Sequence, residues 1–200
     1  SFLYSCKNEI KVDIPTTDTT KKVIADTIIQ SSDFEIIVGS FLGDEKRCYY
    51  GEDPPSSLDI IWKCWLDGAP SHMPFNDGGT NMRYGAGWTG QPLLFKEKDE
   101  LYLIQGSYDY KLRKINAETG DVEWKYSFDD AIKGTGTLYF NKNTDREEGK
   151  LAVLQGSRQR SGLEYNYRSV SAVNGEELFR MRIERTRSMS RDVDGSALIL

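Results

Sequence analysis

The chain has little of what metal and thiol chemistry require: three cysteines and one histidine in 200 residues. No C-x-x-C pair is present, and His72 alone cannot complete a Cys/His metal framework. Long hydrophobic runs are also missing, since no stretch approaches the roughly 18 apolar residues of a membrane-crossing helix. Basic excess is absent too. A formal charge of −5 and a pI near 5.1 leave no electrostatic footprint for nucleic acid. The charges are interspersed, with no block of like sign to act as a polyanion-binding arm. Helical patterning is scarce, and its best candidate, Asp129–Lys133, is too short to stand alone. What remains is 12% aromatic and 38% hydrophobic, enough to bury packed sheets and too much for a disordered chain.

Internal repetition is the strongest positive signal. Residues 91–128 divide into four short segments rich in branched and aromatic residues: Leu93–Phe95, Leu101–Gln105, Lys111–Ala117 and Asp121–Phe128. Val122, Trp124 and Tyr126 alternate with polar residues, which buries one face of the last segment. Residues 134–183 repeat the plan, with segments at Gly136–Phe140, Leu151–Ser157, Tyr167–Ala172 and Glu176–Ile183. Gln105-Gly106-Ser107 recurs as Gln155-Gly156-Ser157, Thr119-Gly120 as Asn174-Gly175, and the Trp124 position holds Phe179. A more divergent copy lies upstream. Phe34–Ser40 matches a second strand, and Ile60-Ile61-Trp62-Lys63 matches Val122–Lys125. Residues 194–200 read as the opening strand of a further copy, so the chain is expected to be an N-terminal piece of a longer protein, truncated at its C-terminal end.

Ala117-Glu118-Thr119-Gly120-Asp121-Val122-Glu123-Trp124 resembles the A-x-T-G-x-x-x-W core of the pyrroloquinoline-quinone (PQQ) type, or tryptophan-docking, β-propeller repeat. Where the family usually has Asp just before the alanine, this chain has Asn116 and Ser171. The resemblance implies an all-β fold: a partial propeller of four-stranded antiparallel blades, about three plus the first strand of a fourth, over residues 25–200. Thr119-Gly120 and Asn174-Gly175 would turn the hairpins, the glycines supplying positive φ. Trp62, Trp124 and Phe179 would pack each outer strand on the neighbouring blade. The family includes PQQ-dependent dehydrogenases and propellers with no cofactor, so the site must decide between them. No vicinal cysteine pair is present, and Asp192-x-Asp194-Gly195 is only a fragment of a Ca²⁺ loop. No catalytic residue, cofactor or metal is assigned.

Leu3-Tyr4-Ser5-Cys6 resembles the end of a bacterial lipoprotein signal peptide, which makes Cys6 a lipidation candidate. Residues 1–24 are then a signal remnant and polar tether. Folding Lys46–Gly51 back onto Leu58–Leu66 about Ser56 makes Cys48 and Cys64 symmetric, a candidate disulfide in an oxidising compartment. The alternative is two free thiols packed as small hydrophobes.

The stretch from Asp67 to Gly87 is the longest irregular segment, and long loops carry function or disorder. His72 within it, Trp88 at its end, and Tyr108 and Tyr110 make a candidate binding rim, because aromatics stack on sugars or cap apolar peptides. A triad begun from Ser71 lacks a nucleophile elbow and ordered spacing. Arg180 and Arg182 read as an exposed strand face. The expectation is a non-catalytic binding or assembly scaffold, an envelope lipoprotein at the periplasmic or outer-membrane surface. Its partner would be a protein or glycan, and it would touch the membrane only through its lipid anchor. The alternatives are the N-terminal part of a PQQ-dependent oxidoreductase and a glycan-binding propeller.

Overall fold

The computed structural model describes residues 33–48, 55–72, 80–158, 163–184 and 192–199. The chain is all-β with antiparallel sheets. Among the described residues helix is confined to one turn, α1 (Glu147–Lys150). A five-stranded sheet has the order β1 (Phe34–Val38), β4 (Leu93–Glu97), β5 (Glu100–Gly106), β6 (Lys111–Asn116), β7 (Val122–Ser127). A four-stranded sheet runs β11 (Glu177–Met181), β10 (Tyr167–Ser171), β9 (Leu151–Gly156), β8 (Thr137–Phe140). A separate hairpin joins β2 (Gly68–His72) to β3 (Thr80–Tyr84).

The strands of the second and third repeats form where period-two patterning and turn residues place them. Gly120 and Gly175 sit at φ +81° and +79°, which an L side chain adopts only under strain. The residue before each Ala–x–x–Gly turn acts as a local acceptor. Asn116 Oδ1 takes the amides of Glu118 and Thr119 at 2.9 and 3.0 Å, and Ser171 Oγ takes those of Val173 and Asn174 at 3.1 and 3.2 Å. Asn and Ser thus do what any short oxygen-bearing side chain does at such a turn. Trp124 faces Lys114, and Ile115 faces Val122, because the ladder slips by one residue between Lys114 and Ile115.

The two large sheets share one apolar core that includes Phe34, Leu93, Phe95, Ile104, Leu112, Phe128, Ile132, Leu138, Leu151, Val153 and Val170. Each such side chain contributes about 1.5–3 kcal/mol on leaving water. Charged groups enter the interior only with partners. Lys114 pairs with Glu97 and lies 3.9 Å from the centre of the Tyr102 ring. Arg168 pairs with Asp129 and stacks 4.8 Å from the centre of the Phe128 ring.

Four expectations are corrected. The first copy does not form its own four-stranded sheet: Phe34–Val38 pairs with β4 as a fifth strand, and residues 55–67 lie in no strand. The hairpin invoked to oppose Cys48 and Cys64 is therefore not formed by the described residues. Both cysteines are free thiols, Cys48 exposed and Cys64 half-buried. The stretch after Asp67 is not irregular throughout, since β2 and β3 pair from Gly68↔Tyr84 to His72↔Thr80. Pro70 is tolerated because a two-stranded ribbon has only edge strands. Residues 192–199 form no strand.

Candidate functional site

Two tryptophans repeat one contact. Trp62 donates its indole N–H to the Ala117 carbonyl at 2.9 Å, and its ring lies over Gly120, where an added Cβ would come within 2.8 Å. Trp124 donates to the Ala172 carbonyl at 3.2 Å and covers Gly175 at the same 2.8 Å approach. Glycine is required twice over here, for its backbone angle and for the space the indole takes. Phe179 occupies the third such position. It is 41% exposed and has no N–H to donate.

A second repeated contact went unread in the sequence. Gln105 Nε2 donates to the carbonyls of Gly90 and Gly106 at 3.2 and 2.7 Å. Gln155 Nε2 donates to those of Gly134 and Gly156 at 3.2 and 2.9 Å. Each glutamine lies opposite a buried arginine, Arg113 or Arg168, in the ladder. The twice-occurring Q-G-S was the available signal, but only three-dimensional closure shows which carbonyls it reaches.

The rim residues gather at the end of the sheets opposite these glycine turns. Tyr110 donates its hydroxyl to the Pro70 carbonyl, and the Tyr108 amide donates to the Gly85 carbonyl at 2.9 Å. On the other sheet, Arg158 Nη1 donates to Ser71 Oγ at 2.9 Å. The β2–β3 hairpin is thereby stitched to both sheets. Ala69 and Ser71 face inward and are buried, while Pro70, Met82 and Tyr84 face outward. Trp88, just beyond the hairpin, is 86% exposed. His72 pairs with Thr80 at the end of the described ladder. Tyr108 and Tyr110 are half-buried supports of the hairpin rather than free rim residues.

Beneath it lies a polar cluster. Lys133 Nζ pairs with Asp192 and, at 3.3 Å, with Asp194, and Arg158 Nε lies 3.4 Å from Asp192. The Asp192-x-Asp194 spacing thus holds an ammonium group of the chain itself. Burial pushes the Asp194 carboxyl above its ordinary value, against the nearby Lys133. For Lys133, burial is the largest effect and works against the charge, but the hydrogen bonds and charges of Asp192 and Asp194 together outweigh it and raise the ammonium pKa. At the turn joining β5 to β6, burial would raise Asp109. Hydrogen bonds from Arg113 and Ser107 prevail and hold its carboxyl below the usual range. Burial and the Glu177 hydrogen bond push the Tyr126 hydroxyl up to about 12. Among the described residues no three His, Cys, Asp or Glu side chains come together as metal ligands.

Thr119 and Asn174 are exposed turn residues; Thr119 Oγ1 donates to Asp121 at 2.8 Å, and Asn174 Oδ1 accepts the Glu176 amide at 3.0 Å. Arg180 pairs with Glu177 at 2.5 Å and stacks 5.4 Å from the centre of the Tyr165 ring. Arg182 is exposed, as read, but Met181 and Ile183 between and beside these arginines are exposed as well. Cys6 lies outside the described residues.

Fold and site together define an all-β protein of antiparallel sheets, with one tryptophan-on-glycine contact between the two large sheets, a second from a segment outside them, and an outward-facing hairpin at one end. Set against family models, curated proteins and solved structures, the chain matches none.

Proposed function

We propose that the chain is a non-catalytic binding or assembly scaffold built on PQQ-type β-propeller repeats across residues 25–200. One observation carries this reading: Trp62 and Trp124 dock on successive glycine turns with the same donor, acceptor and polarity. Side-by-side repetition of one interface is how repeat proteins build a rigid platform. The β2–β3 hairpin is the binding element of that platform, since Met82, Tyr84 and Trp88 stand exposed on a segment tied down from beneath. Rigid support under exposed aromatic groups is what a protein-recognition surface needs. The partner is a protein of the bacterial envelope, and the scaffold is held at the membrane by lipid on Cys6.

Site-specific photocrosslinkers at Met82 and Trp88, expressed in the envelope, should capture one discrete partner, whereas a probe at Lys125 should not. Equal capture at all three positions would overturn the assignment of the hairpin. Cys6→Ala should move the full-length precursor from the detergent phase to the soluble fraction, and an unmodified wild-type mass would remove the anchor.

The exposed rings of Trp88 and Tyr84 favour a second reading, glycan recognition by stacking. Oligosaccharides that quench Trp88 fluorescence, with the response lost in Trp88→Ala, would select it over the protein partner.

A further inference from the structure

The segment from Leu58 to Leu66 lies in no strand and has no strand paired beside it among the described residues. It leads into the hairpin, and Trp62 pins its middle to the Ala117–Gly120 turn. From Ile61 to Leu66 exposure alternates with the period of an extended chain: Ile61, Lys63 and Trp65 are open, while Trp62, Cys64 and Leu66 are half-buried, and Leu58 to Ile60 are all exposed. No backbone group from Leu58 to Trp65 bonds to another described backbone group. Leu58, Ile60, Ile61 and Trp65 are 72–90% exposed, the most open apolar side chains of the described residues apart from Trp88. An open strand edge bearing such side chains is a template for another strand.

We infer that this edge pairs with the same edge of a second copy of the chain, as an antiparallel ladder centred on Ile61. A two-fold contact must be self-complementary, each residue meeting its symmetry mate's counterpart. In the register centred on Ile61, Asp59 of each copy stands opposite Lys63 of the other, and Ile61 meets Ile61 between them. The charge complementarity is therefore written twice into one short segment. Both charges are available for it: Asp59 is met within the chain by the Ser57 hydroxyl at 2.7 Å, and Lys63 has no ion pair among the described residues. On the other face the same register sets Ile60 beside Trp62, extending the cover over the docked indole. Shifting the centre to Trp62 sets Asp59 against Trp65 and loses both charge pairs. The ladder is short, so the association is weak and concentration-dependent.

Sedimentation equilibrium of the 200-residue chain at low salt should show a reversible dimer. Asp59→Lys alone and Lys63→Asp alone each place like charges opposite one another and should weaken it about tenfold. The two changes together restore opposite pairs and should return the wild-type constant. Both positions are exposed, so folding is not at stake, and circular dichroism of each variant checks it. Amide exchange supplies the second measurement: protection over 58–65 should rise with protein concentration. A chain monomeric at every concentration, or a dimer that the double exchange fails to restore, would overturn the inference. Protection of 58–65 independent of concentration would do the same, because another segment of the same chain would then occupy the edge.

Discussion

The indole of Trp124 lies over the backbone of Gly175 and hands its N–H to the Ala172 carbonyl, two residues before the turn's apex, just as Trp62 does at Gly120 and Ala117. For Trp124 donor and acceptor belong to different sheets, so this contact reports on how the two large sheets sit together; Trp62 reaches Ala117 from a segment outside the strands.

Replacing the glycine tests that contact. Gly120→Ala and Gly175→Ala should each cost about 1–2 kcal/mol in backbone strain and about 1–3 kcal/mol more by displacing the indole. Gly85 also has positive φ but faces open space, so Gly85→Ala should carry the strain alone. Urea midpoints should separate the two classes, with a red shift of tryptophan emission only in the first. Equal losses at all three sites would mean that the indoles are not held there.

Strands β4 to β11 were legible because each couples alternating side chains to a turn with its own chemistry, as Val122, Trp124 and Tyr126 do after Thr119-Gly120. The pairing of β1 with β4 was not, since Phe34–Val38 has a clear strand pattern but nothing local to name a partner far along the chain. Gly68 and Pro70 hid β2, whose pairing rests on edge geometry rather than propensity. Of the site, Trp62, Trp124 and the turn glycines were readable as repeats. The hairpin's attachment through Arg158 and Tyr110 was not, because it joins residues distant in sequence and of ordinary spacing.

Gln155 is almost fully buried between two carbonyls. Gln155→Leu keeps much of the volume and leaves both acceptors unpaired, which should cost about 1–3 kcal/mol. Gln105→Leu should behave alike in the other sheet. Thermal melts in which both variants match the wild type would show that water serves those carbonyls equally well.

Acid should act through Asp109. Its folded carboxyl titrates below its ordinary value of 3.8, so its contribution is complete above that value and is lost as pH falls through the folded one. Stability measured from pH 5 downward should fall less steeply in Asp109→Asn, which is already weakened at neutral pH because Arg113 is left buried without its charge partner. A slope unchanged by the substitution would assign the acid sensitivity elsewhere.

The free thiols make a kinetic prediction. Cys48 should react with a thiol reagent at once in the native chain, and half-buried Cys64 more slowly. Protection of both until a reductant is added would establish the disulfide that the described geometry lacks.

The tryptophan contact has a direction. The sheet of β4–β7 offers the Trp124 indole on one side and the Gly120 socket on the other, so the two surfaces that meet are not the same surface. Contacts of this kind do not count their own members; a chain of them closes only when the rotation between neighbours divides a full turn, and otherwise runs on. In such a series the number of members would be set by the angle between neighbouring sheets, which no single docked residue determines.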